Sequence, residues 1–79
     1  MQQETFAVVI NRAGERFLNG APVDDAGLAT AVAAARSRGA DVQALIGADR
    51  LASHGDVTHV LDVLKGAGVL KFAVEIERQ

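Results

Sequence analysis

Seventy-nine residues without a single cysteine make one domain that neither disulfides nor a thiolate zinc site can staple. A net charge of −2 with mixed signs, one short basic cluster at Arg36-Ser37-Arg38, and neither Trp nor Tyr to stack on bases disfavour nucleic acid, which needs a basic stripe along its phosphates. The longest purely apolar run, Ala31 to Ala35, is far short of the ~20 residues of a membrane span, and Met1-Gln2-Gln3-Glu4 lacks the basic start and apolar segment of a signal peptide; the chain as given is expected to be soluble.

Residues 1–4 read as a polar tail, residues 5–77 as the domain and residues 78–79 as a second tail. Thr5 to Ile10 is a β-branched and aromatic run, a strand with apolar residues on both faces. Asn11-Arg12-Ala13-Gly14 supplies turn chemistry, and Glu15 to Leu18 returns as a short second strand to complete a hairpin. Asn19-Gly20 marks another turn, and Pro22 limits any continuation at Ala21-Val23 to a sheet edge. Asp24 or Asp25 can cap a first helix whose Leu28, Ala31, Val32 and Ala35 fall on one stripe. Gly39 stops it, with Arg36 and Arg38 near its negative end. Val42, Ala44, Ile46 and Ala48 alternate with Gln43 and Gly47 as a strand with one core face. Ser53 or Asp56 opens a second helix in which Val57, Val60, Leu61 and Leu64 recur at helical spacing, and Gly66 or Gly68 ends it. The last strand runs from Val69 to Glu77, with Leu70, Phe72, Val74 and Ile76 alternating against Lys71, Ala73, Glu75 and Glu77. From Val42 to Glu77 the chain therefore holds a βαβ unit.

The order β-β-α-β-α-β predicts an α+β fold, a two-layer sandwich of a mixed sheet with both helices on one face when the crossovers are right-handed. A chain this short buries only about 60% of its unfolded surface, so self-association is expected to add burial. The helix-free sheet face would carry Ala7, Val9, Leu45 and Ala73, and several apolar groups on one exposed face predict cover by a partner or a second copy.

The polar residues offer little reaction chemistry. Ser53, His54 and Asp49 or Asp56 contain the residue types of a triad, but adjacent Ser53-His54 cannot place the imidazole between nucleophile and carboxylate, and no G-x-S-x-G turn is present. His54 and His59 stand five apart rather than at the i, i+4 spacing of helical zinc ligands. Nothing implies the burial that would separate the pKa values of Asp49 and Asp56 into acid and base. The glycines form no dinucleotide or Walker pattern. Caps and turns account for these residues, so no catalytic residue, metal or cofactor is expected and a binding module is favoured over an enzyme.

The motif order resembles the periplasmic domain of the ExbD/TolR family of biopolymer-transport proteins from about Phe6 to Ile76. Phe17-Leu18-Asn19-Gly20-Ala21-Pro22-Val23 matches a hydrophobic pair, Asn-Gly and Pro-Val; Asp24 to Leu28 opens the first helix. Ala48-Asp49-Arg50 matches an Ala-Asp-basic turn, Gly55-Asp56-Val57 with Val60-Leu61-Asp62 the second helix, and Ala67-Gly68-Val69-Leu70-Lys71 the start of the last strand. The ExbD branch is favoured by Ala48-Asp49-Arg50 and Gly68-Val69-Leu70-Lys71. The sequence departs from the pattern at His54, where an aromatic is common, and at Gly47, where a basic or polar residue is common; both could alter partner preference. It also lacks the family's transmembrane helix and membrane-embedded Asp, so it reads as a soluble periplasmic fragment of a single-pass inner-membrane protein with an added Met1.

The resemblance implies a non-catalytic, dimeric periplasmic module of a proton-motive-force-driven complex, working with an ExbB/TolQ-type channel subunit and a TonB/TolA-type transducer, with peptidoglycan a further candidate ligand. An exposed sheet edge can accept an extended peptide. On this basis Ala7, Val9, Leu45, Phe72, Ala73 and Val74 are the candidate interface, with Phe72 and Val74 alternatively core, and Ala48, Asp49, Arg50, His54 and Asp56 form the motif turn and helix start. The alternative is a small-ligand sensor of ACT or ferredoxin-like type, which would place a helix directly after the first strand. A third reading is an acylphosphatase-like enzyme using Arg12 to cradle phosphate.

Overall fold

A computed structural model describes residues 2–77. Seven elements follow in order: β1 (Gln3–Ile10), β2 (Arg16–Leu18), β3 (Ala21–Pro22), α1 (Asp25–Ser37), β4 (Asp41–Asp49), α2 (His54–Gly66) and β5 (Lys71–Glu77). The strands form one mixed sheet in the order β3-β2-β1-β4-β5. β1, β4 and β5 run parallel, whereas β2 is antiparallel to both β1 and β3.

This is the expected α+β sandwich with one added two-residue strand. The crossovers from β3 through α1 to β4 and from β4 through α2 to β5 move in the same direction across the sheet. Sharing a hand, they place both helices on the same side. One core cluster accordingly joins Leu28, Val32 and Ala35 of α1 and Val60 and Leu64 of α2 to Phe6, Val8 and Ile10 of β1 and Val42, Ala44, Ile46 and Ala48 of β4. Ala31, Val57 and Leu61, the remaining members of the two helical stripes, pack partly buried against it.

The helices begin and end by the same devices. Asp24 caps α1 by accepting from the Gly27 amide at 2.7 Å, and Ser53 caps α2 by accepting from the Asp56 amide at 3.0 Å. At the other end, Ala40 N–H donates to the Ala35 carbonyl and Gly39 N–H to Arg36, while Val69 N–H donates to Leu64 and Gly68 N–H to Lys65. These are paired Schellman terminations, and each needs a residue at positive φ. Gly39 and Gly68 supply it, at φ 81° and 103°.

Boundaries differ from the sequence expectation where tertiary pairing decides them. β1 starts at Gln3 because Gln3 and Glu4, expected in a polar tail, pair with Asp41 and Val42 of β4. β2 starts at Arg16 rather than Glu15, and β5 at Lys71 rather than Val69. Val69 cannot open the strand because its amide closes α2 and its side chain is fully buried. The predicted tail at 78–79 lies outside the described residues.

Candidate interaction surface

Period-2 alternation leaves one sheet face without helices. Strand register sorts this face into rows: Thr5, Gln43 and Lys71; then Ala7, Leu45 and Ala73; then Val9, Gly47 and Glu75. Phe17 lies beside Val9 and Pro22 beside Phe17, extending the apolar area across β2 and β3. Val9, Leu45 and Ala73 are exposed and Ala7 half-buried. In the first row Gln43 Nε2 donates to Thr5 Oγ1 at 2.7 Å, and Gln3 Nε2 donates to Gln43 Oε1 at 3.0 Å. Beside this amide ladder a shallow cleft of about 190 Å³ is lined by Thr5, Gln43, Leu45, Lys71 and Ala73 among others. A Cβ on Gly47 would meet nothing within 4 Å, so the centre of this face is open to close approach.

The candidate interface residues do not form one patch. Ala7, Val9, Leu45 and Ala73 share the helix-free face, but Phe72 and Val74 pair with Ala44 and Ile46 and so project on the helix side. Phe72 packs half-buried against the core. Val74 is 46% exposed, as is Ile76 at 54%, and Leu70, just outside the strand, reaches 87%. The helical layer therefore stops short of the outer strand. Among the described residues β5 is paired on one side only, by β4, which leaves an edge of seven residues without proline, its Phe72, Ala73, Val74 and Ile76 interleaved with Lys71, Glu75 and Glu77. Such an edge is a template for pairing with another strand.

The motif turn lies at the opposite end of the strands from Lys71. Ala48 is buried, and Asp49 Oδ1 accepts from the Leu51 amide at 2.9 Å, shaping the turn that carries exposed Arg50. Arg12 reaches Asp49 at 3.6 Å, joining the β1–β2 hairpin to this turn. His54 Nε2 lies 3.4 Å from Thr58 Oγ1. Asp56 fills the space beside Gly14, where a Cβ would sit 2.7 Å from its Oδ2. These residues are thus brought together as a helix start and a hairpin anchor, with Ser53 Oγ engaged as the cap.

One polar cluster has no counterpart in the sequence reading. Asp25, the first residue of α1, contacts His59 Nε2 of α2 through Oδ2 at 2.5 Å and the Arg16 guanidinium of β2 through Oδ1. The His59 contact first, and Arg16 second, hold the Asp25 carboxyl below the usual aspartate value. Arg16 and Asp25 are nine residues apart, and Asp25 and His59 are thirty-four apart. The one local hint was an acidic residue in the first turn of a helix.

The family model described as biopolymer transport protein ExbD/TolR matches residues 1–79. The chain belongs to the ExbD/TolR family. No individually curated protein matches it. The family consists of inner-membrane-anchored periplasmic proteins that act as non-enzymatic accessories of biopolymer transport in complexes with ExbB/TolQ-type subunits. Among the described residues of this member, no helix is long and apolar enough to cross a membrane.

Proposed function

We propose that this chain is the periplasmic dimerisation and partner-binding domain of a proton-motive-force-driven ExbD/TolR-type complex. It couples an ExbB/TolQ-type channel subunit to a TonB/TolA-type transducer without performing catalysis itself. The observation that carries this reading is the long, proline-free edge of β5, paired only by β4 and with Val74 and Ile76 exposed on it, beside the helix-free apolar face. Backbone groups along such an edge give affinity for an extended segment, and the alternating side chains give selectivity. In this reading the proton-carrying step belongs to the membrane part of the complex, and partners or peptidoglycan assemble on the helix-free face at Ala7, Val9, Leu45 and Ala73 and along the β5 edge, where Phe72 and Val74 project on the helix side.

The competing architectures have less support. A sensor of the ACT or ferredoxin-like kind needs a helix after its first strand, whereas β1 here turns directly into β2. The acylphosphatase reading needs Arg12 in a phosphate cradle, and Arg12 instead extends to Asp49. Sedimentation of the purified chain up to millimolar concentration, with binding assays on transducer-derived peptides and on peptidoglycan, tests the proposal. Reversible dimerisation with saturable binding to one of these ligands is expected. A strict monomer that binds none of them would overturn it.

A further inference from the structure

The parallel strands β1, β4 and β5 all start, and both helices finish, at one end of the domain. Four of the chain's eight Lys and Arg residues gather there: Arg36 and Arg38 at the end of α1, Lys65 in the last turn of α2 and Lys71 at the start of β5. Glu4 and Asp41 are the carboxylates that accompany them, and Asp62 lies a turn further back on α2. This end is thus cationic in a chain whose net charge is −2. Leu70 stands among the cations, on the turn into β5. At 87% it is the most exposed large apolar side chain among the described residues. We propose that this end docks on the surface of an anionic lipid bilayer, with the cations on the headgroups and Leu70 in the interfacial layer.

Local contacts gather these groups without hiding them. Arg36 donates to the Ala67 carbonyl at 3.1 Å. Arg38 Nη2 donates to both Glu4 carboxylate oxygens, at 2.8 and 3.0 Å, and Lys71 Nζ lies 3.8 Å from Asp41. The side chains of Arg38 and Lys71 nevertheless stay 61% and 63% exposed, and Arg36 and Lys65 are exposed as well. Exposed pairs of this kind are weak, so lipid phosphates can share or replace them. Cations in a last helical turn complement the helix dipole, which accounts for Arg36 and Lys65. It does not account for Lys71, nor for a leucine left in water beside it.

A bilayer fits this arrangement better than a protein partner does. A broad anionic surface engages cations projecting around a single leucine without needing a complementary groove. Long Lys and Arg stems reach phosphates while an apolar side chain enters the headgroup boundary. Each cation held near such a surface strengthens attachment about fivefold. The inference rests on the periplasmic, membrane-anchored reading above and adds to it an orientation. The turn at Asp49 and Arg50 faces away from the bilayer, and the β5 edge stays open to partners.

The test is co-sedimentation of the whole chain with vesicles of phosphatidylcholine, alone or with about one-third phosphatidylglycerol. At an ionic strength of about 0.1 M, charges act over about 10 Å. The nine residues of β4 that separate the two ends span roughly 25–30 Å. Partition onto the anionic vesicles is expected, with little onto the neutral ones. Lys65→Glu should weaken it about tenfold or more, and Leu70→Ser about fivefold. Arg50→Glu, the same charge change at the far end, should weaken it less than about twofold. Equal losses from Lys65→Glu and Arg50→Glu, equal partition onto neutral vesicles, or no partition onto anionic ones would each overturn the docking. If that chain still dimerises and binds a transducer-derived peptide, the docking alone fails and the proposed function stands. Loss of peptidoglycan binding on Lys65→Glu, with vesicle partition unchanged, overturns the lipid assignment.

Discussion

The two edges of this sheet are built on opposite plans. At one, β3 is two residues long and includes Pro22, which has no amide proton to offer. At the other, β5 runs for seven residues, free of proline and apolar on the side that the helices fail to cover. Short strands and proline are recognised ways of closing an edge to unwanted pairing. One margin thus offers almost no backbone for strand addition, whereas the other keeps a full-length strand edge on which the proposed binding would take place. The domain's partners are therefore to be sought along β5 and the face next to it.

The largest expected effect separates the closed interior from the open edge. Ile46 on β4 is fully buried, whereas Ile76 on β5 is 54% exposed, although both project to the helix side. Ile46→Ala should cost about 2–5 kcal/mol of stability, as buried Ile truncations do. Ile76→Ala should cost less than about 1 kcal/mol in dilute solution, where little apolar area is lost. Urea unfolding at low and high protein concentration checks this. An Ile76→Ala cost that approaches that of Ile46→Ala in dilute monomer would mean that β5 is an internal strand in all but position.

A smaller contrast lies in the glycines that lead to each edge. Gly20 precedes β3 at φ 90°, and Gly68 comes shortly before β5 at φ 103°. Alanine at either position is strained by about 1 kcal/mol or more. A Cβ on Gly20 meets nothing, but one on Gly68 would collide with the Arg36 guanidinium, which donates to the Ala67 carbonyl at 3.1 Å. Displacing it loses that hydrogen bond, about 1 kcal/mol more. Gly68→Ala should therefore destabilise by about 2 kcal/mol and Gly20→Ala by about 1 kcal/mol, measurable as midpoint shifts in denaturant. Equal costs would show that Arg36 swings away freely and that the approach to β5 is no more constrained than the approach to β3.

Most of the framework was legible in the sequence because local chemistry determined it. Asp24 and Ser53 are short polar residues ahead of apolar stripes, and both cap their helices. Gly39 and Gly68 each end a helix because the αL position excludes most side chains. The alternation of β4 reads directly onto its burial pattern. Exposure along β5 was not legible: Val74 and Ile76 alternate as core residues should, and only the lateral reach of α2 decides that they stay uncovered. Two candidate sets therefore separated in space, with Ala73 on one face and Phe72 and Val74 on the other. The Asp25 cluster was invisible for a related reason, since it joins three elements that adjoin only after the crossovers are made.

That cluster supplies the smallest and most specific test, because it fastens the closed side of the molecule. Arg16 belongs to β2, beside β3, and through Asp25 it ties that margin to the start of α1 and to His59 on α2. Contact with His59 and Arg16 favours the ionised carboxylate and lowers its folded-state pKa. Linkage then fixes the sign: the stabilisation is fully present above the unfolded-state aspartate value and is lost as pH falls through the lower folded-state value. Asp25 and His59 are about half-exposed, so the effect is modest. Asp25→Asn should lower the melting temperature slightly at neutral pH, and its difference from the native chain should shrink to nothing as acid protonates Asp25 in both states. The substitution should leave self-association through β5 unchanged, because the cluster lies towards the other margin. A difference that persists undiminished in acid would assign the loss to packing of the side chain rather than to its charge, and an altered dimer constant would mean that the two edges are coupled through the helical layer.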